Sequence, residues 1–142
     1  MPRWTGYFNE SGSPAIKISV YGVAPAFQQE IEAVIDTGFT GFLSVPLVQA
    51  FPLGVVLVGT TPVAFADGST SYRLTAWGTA AVGGQQESGI IMLEPDSNEV
   101  LLGMEFIKAF QKTLLVSPGN RLVALFDDEA MLSVLQGPEQ AR

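Results

Sequence analysis

The feature that most limits the fold of this chain is a series of short apolar stretches with a period of two, separated by Gly, Pro and Asp turns. From residue 15 the order Ala-Ile-Lys-Ile-Ser-Val-Tyr sends Ile16, Ile18 and Val20 to one face and Lys17, Ser19 and Tyr21 to the other. That is the signature of a half-buried strand. Residues 29–36 repeat it, with Ile31, Ala33 and Ile35 opposite Glu30, Glu32, Val34 and Asp36, so the polar face ends at Asp36. A short strand over 42–45 follows, then a segment opened by Pro46 that reaches Phe51 as one helical turn or two. Residues 55–65 and 71–77 are strand-like and enclose Ala66-Asp67-Gly68-Ser69-Thr70, a strong hairpin signal.

Further along, turns are expected at Gly83-Gly84 and over 95–98, with a strand over 89–93 between them. The apolar run Val100-Leu101-Leu102-Gly103 precedes Met104, Ile107 and Phe110, whose spacing predicts a short helix over 104–110. Residues 114–116 and 122–126 flank Ser117-Pro118-Gly119-Asn120 as a second hairpin. Asp127 or Asp128 caps a helix that runs through Leu135 and stops at Gly137-Pro138, the acidic residues suiting its N-terminal dipole. With 142 residues, 24 of them Gly or Pro, and 47% apolar against 15% charged, the expectation is one domain over 1–142. Its core spans about residues 15–126 and its C-terminal helix about 127–137.

The chain contains neither Cys nor His, which removes disulfides, thiolate nucleophiles, Ser-His-Asp triads and imidazole-bound zinc. Catalysis falls to carboxylates, hydroxyls and three lysines, and no cofactor or metal is expected. A net charge of −7 with scattered basic residues argues against nucleic acid and against an anionic membrane surface. Residues 1–14 are polar and Gly-containing without an apolar leader, and no stretch has the roughly 18 apolar residues of a membrane span, so a soluble cytoplasmic protein is expected. Asn9-Glu10-Ser11 matches a glycosylation acceptor but is read as a polar turn.

The chemistry concentrates in residues 33–46, where an apolar strand delivers Asp36 into the tight turn Asp36-Thr37-Gly38. Chance alone places Asp-Thr-Gly in roughly 3% of chains of this composition, so the surroundings must carry the assignment. Three motifs stand in order: apolar residues before Asp36-Thr37-Gly38, the Gly-containing hairpin at Asp67-Gly68-Ser69, and Leu101-Leu102-Gly103 leading into a short helix. In this order and spacing the chain resembles the retropepsin-like aspartic peptidases, the family of the retroviral proteases and their cellular relatives, over residues 15–126.

The resemblance implies a mostly all-β, single-lobe acid-protease barrel with one or two short helices, acting as a homodimer on a polypeptide substrate. It implies that Asp36, Thr37 and Gly38 are catalytic, with Leu101-Leu102-Gly103 packed beneath their loop. Thr37 would bond across the interface, and Asp67, Gly68 and Ser69 would form the tip of a flap closing over extended peptide. Chemistry alone also asks for a pair: hydrolysis without metal or nucleophile needs one carboxylate to deprotonate water and a second, protonated one to polarise the carbonyl. Only one Asp sits in such a turn, and a two-fold axis beside Asp36 generates the other. The residue after the triad is usually small in the family, whereas Phe39 resembles a prokaryotic Asp-Thr-Gly-Phe subgroup. Its ring is expected at the substrate, narrowing the cleft or desolvating the carboxylates. Two other functions fit the same residues: a silent module of this fold that binds peptides by strand addition or dimerises, and an unrelated small barrel for an apolar ligand.

Overall fold

The computed structural model describes residues 3–140, with side chains within 3–136. In chain order the elements are β1 (Arg3–Thr5), β2 (Tyr7–Phe8), β3 (Pro14–Tyr21), β4 (Gln29–Ile35), β5 (Leu43–Pro46), α1 (Leu47–Ala50), β6 (Val56–Ala64), β7 (Thr70–Val82), β8 (Gln85–Glu94), β9 (Val100–Leu102), α2 (Met104–Ala109), β10 (Lys112–Ser117), β11 (Leu122–Asp127) and α3 (Asp128–Gln140). Strands make up about half of the chain, as the alternating pattern requires.

Strands β3, β4, β9, β5, β8 and β7 are neighbours in that order, and a β3–β7 pairing closes them into a six-stranded barrel. Closure leaves β2 and β6 as outriders at the two ends of the sheet. In β3 Ile16, Ile18 and Val20 lie in the core and Lys17 is exposed, as read, whereas Tyr21, read on the outer face, is buried where β3 meets β7. Strand β9 lies parallel to β4 and antiparallel to β5, and Val100 and Leu102 are buried. In the sequence 100–102 stands as a continuous apolar run, and Leu101, on the face opposite Val100 and Leu102, is half-buried.

A three-stranded sheet β1-β11-β10 packs against the barrel through aromatic rings. Trp4 meets Phe110 edge-on at 5.0 Å, Phe110 lies 4.6 Å from Phe106, and Phe106 lies 5.1 Å from Phe42. Such pairs contribute beyond their buried area, and here they tie the first strand to the loop that carries Asp36.

Three expectations are corrected. Residues 1–14 are not merely a polar stretch: β1 and β2 lie within them, and Trp4 and Phe8 pack on the core, so ordered structure begins before residue 15. Strands of two or three residues are too short to show a period, and β1 takes its hydrogen bonds from β11, distant in sequence. The hairpin β7–β8 is longer than the expected 71–77 and 89–93, because Gly78 and Gly89 face each other as a strand pair. A methyl at Gly78 would stand 2.3 Å from Ile91, and one at Gly89 would stand 2.5 Å from the Phe42 ring, so both glycines admit a packed neighbour instead of breaking a strand. Finally, α3 continues past Gly137-Pro138 to Gln140. So near a helix end the missing proline N–H removes one backbone bond and not the helix. Three α-helices result among the described residues, counting the single turn of α1.

Candidate active site

Asp36 is held by the way β9 threads between β4 and β5. Ile35 at the end of β4 and Leu43 at the start of β5 both stand opposite Leu102, so residues 36–42 must cross over the end of β9. Backbone bonds fix both sides of the crossing: the Asp36 N–H donates to the Leu102 carbonyl at 3.0 Å and the Gly103 N–H to the Phe42 carbonyl at 3.1 Å. The start of α2 completes the clamp, with the Met104 N–H on the Phe39 carbonyl at 2.9 Å and the Glu105 N–H on the Gly41 carbonyl at 3.1 Å. Leu101-Leu102-Gly103 thus lies directly beneath the loop.

Within the loop the Asp36 carbonyl accepts from the Phe39 N–H at 3.1 Å, and Oδ1 of Asp36 accepts from the Gly38 N–H at 2.9 Å. The second bond is the usual self-capping of a turn aspartate, and it uses one of the two carboxylate oxygens. Asp36 is half-buried, while Thr37 and Gly38 are exposed beside it. The carboxylate therefore has a fixed direction and an open side.

The Phe39 ring lies in a slot between two glycines: a methyl built on Gly41 would come within 2.6 Å of it, and one built on Gly103 equally within 2.6 Å. Phe39 also helps line a pocket of about 250 Å³ with Thr40 of the loop, Leu43 of β5 and Thr61, Thr75 and Met92 of β6, β7 and β8. A larger concavity of about 600 Å³, beside Glu30, Glu32 and Glu99, includes none of residues 36–39 or 67–69.

Asp67, Gly68 and Ser69 form the tip of the β6–β7 hairpin, whose last pair is Ala64 with Thr70. Gly68 has φ +86°, a left-handed conformation that favours glycine. Asp67 Oδ1 accepts from the Ser69 hydroxyl at 2.6 Å and the Ser69 N–H at 2.9 Å. These two bonds, the hydroxyl first, hold the Asp67 carboxyl below the usual carboxylate range. No hydrogen bond among the described residues joins this tip to the Asp36 turn. The site residues expected from the sequence therefore form two groups, 36–39 on the crossing loop and 67–69 on the hairpin tip.

The sequence did not single out Arg73. Its Nε donates to Glu94 Oε1 at 2.6 Å, a second nitrogen donates to Ser71 at 2.6 Å, and the guanidinium lies 5.8 Å from the centre of the Phe65 ring. Arg73 thus links the last residue of β8 to the residue that opens the hairpin tip. Alternation along 71–77 places Ser71, Arg73 and Thr75 on one face, but their partner Glu94 lies too far along the chain to be inferred. Among the described residues no three Asp or Glu side chains converge as a metal site would need.

No protein-family model and no curated protein matches the sequence. Solved structures do resemble it. The EIAV protease, solved with an inhibitor, has a TM-score of 0.59 at 13% identity over 77% of this chain and 98% of that one. A retropepsin-like aspartic protease from Rickettsia conorii has a TM-score of 0.56 at 16% identity over 87% of this chain and 90% of that one. At such identities the likeness concerns the fold, and the fold is retropepsin-like.

Proposed function

We propose that this chain, one subunit of retropepsin-like fold, is an aspartic endopeptidase whose active form is a homodimer with the two Asp36 carboxyls facing each other. The observation that carries this is the Asp36 turn itself: a half-buried carboxylate with one open side, on a loop clamped at both ends by β9 and α2. Two carboxyls in contact share one proton and titrate as a pair. The ionised one takes a proton from a water held between them while the water oxygen attacks the scissile carbonyl carbon. The protonated one gives its proton to the carbonyl oxygen, and the tetrahedral diol forms. Its collapse returns a proton to the amide nitrogen, the C–N bond breaks, and acid and amine leave.

Thr37 and Gly38, exposed beside Asp36, serve the interface and the approach of the substrate backbone. Asp67, Gly68 and Ser69 close as a flap over the extended peptide. The test is digestion of a peptide library between pH 3 and 8 by wild type and Asp36→Asn, with sedimentation alongside. Cleavage by wild type alone, from a sedimenting dimer, is the expected result. Equal cleavage by the variant, or a strict monomer at micromolar concentration, would end the proposal.

A silent module of the same fold has one observation in its favour. Strand β6 is the free edge of its sheet, and Val56, Leu57 and Val58 along it are about half exposed, a surface that an extended peptide can join by strand addition. Peptide binding without cleavage by wild type, unchanged in Asp36→Asn, would select it.

A further inference from the structure

We infer that Phe39 is a positioning residue for Asp36, its ring acting as a wedge that fixes the carboxylate turn against β9 and α2. This role rests on Asp36 being the reacting carboxylate, and it differs from the substrate contact that the sequence suggests for Phe39.

Two observations support it. The backbone of Phe39 is bonded on both sides, its N–H to the Asp36 carbonyl at 3.1 Å and its carbonyl to the Met104 N–H at 2.9 Å, so any movement of Phe39 is transmitted to both Asp36 and α2. The ring then folds back over the loop instead of extending from it: a methyl on Gly41 would approach its far edge at 2.6 and 2.8 Å, and one on Gly103 its near edge at 2.6 Å. Two positions without side chains, 62 residues apart, are thus filled by one aromatic ring, which removes slack from a loop with no regular secondary structure. Reacting groups must be held to within a fraction of an ångström, so such slack is costly to the chemical step.

The two walls differ in a useful way. At Gly103 an added methyl would also meet the Gly41 carbonyl oxygen at 2.2 Å, so alanine there disturbs backbone whatever stands at 39. At Gly41 the atoms in the way all belong to the Phe39 ring. Gly41→Ala therefore acts by expelling the ring, and its effect depends on the ring being present.

A double-mutant cycle reads this dependence. Phe39→Ala, Gly41→Ala and the double variant are compared with wild type in kcat, KM, the pH profile of cleavage, thermal unfolding and hydrogen exchange of the Gly38 amide. Each single variant is expected to lower kcat about 10- to 100-fold with little change in KM, to shift the pH profile, and to speed exchange at Gly38. The double variant should be no worse than Phe39→Ala, and Phe39→Leu should recover part of the loss. Full additivity of the two substitutions, or a raised KM with kcat and pH profile intact, would overturn the wedge. Asp36→Asn in the same assay separates the two ideas: if wild type and this variant cleave alike, or neither cleaves, the peptidase proposal falls. The wedge is then decided by Gly38 exchange alone, and falls too if Phe39→Ala leaves it unchanged.

Discussion

Tyr7 shows how much a single position can gain from a partner far away in the sequence. Its hydroxyl donates to Glu32 Oε1 at 2.7 Å across β2, β3 and β4, and burial together with this carboxylate pushes the phenol up to about 12. A folded value above the unfolded value near 10 means that the contribution to stability is complete below about pH 10 and fades between about pH 10 and 12. Ultraviolet titration should show a late phenol transition that is lost in Tyr7→Phe. Asp67 works in the opposite sense. Its carboxyl lies low, so the tip is capped above the ordinary carboxylate range and loses the cap as pH falls through the lowered value. Ser69→Ala should move Asp67 back towards the ordinary range in a carboxyl NMR titration. Asp36, Thr37, Gly38, Asp67 and Gly68 could be singled out from sequence because short turns carry their own signature. Tyr7 and Arg73 could not, since each acts through a partner more than twenty residues away.

Among the elements, β9 has the largest consequence for its length. Its three residues separate β4 from β5, and Leu102 is fully buried under the crossing loop. Leu102→Ala should cost about 3 kcal/mol in urea unfolding by leaving a cavity that neighbours held in two strands cannot fill. The β6–β7 hairpin is stabilised differently, by polar contacts where it leaves the sheet. Arg73 joins Glu94 and Ser71 there and stands over Phe65, so Arg73→Met should speed hydrogen exchange of amides 62–72 while leaving those of β3 and β9 unchanged. The strands containing residues 15–21 and 29–35 were legible because their buried positions recur with a period of two, although Tyr21 and Val34, on the opposite face, are buried as well. The extension of the hairpin through Gly78 and Gly89 was not, because there the glycines answer to Ile91 and Phe42.

For the whole molecule, the aromatic series Trp4, Phe110, Phe106 and Phe42 joins the small sheet to the barrel and ends beside the Asp36 loop. Lys112 is buried at its outer end, paired with Asp127 and 4.6 Å from the Trp4 ring centre. Trp4→Ala should cost about 3 kcal/mol in thermal or urea unfolding, since it removes both the edge contact to Phe110 and the cover over Lys112. No helix among the described residues is long and apolar enough to cross a membrane. The sequence by itself determined the strand-rich class, the hairpins and the aspartate turn, because alternation and turn chemistry are local properties of the chain. Only the tertiary structure decided that β9 threads between β4 and β5, that β1 belongs to the C-terminal sheet, and that the Phe39 ring fills a slot made by Gly41 and Gly103. Those outcomes depend on which distant surfaces fit together, and no local pattern encodes that.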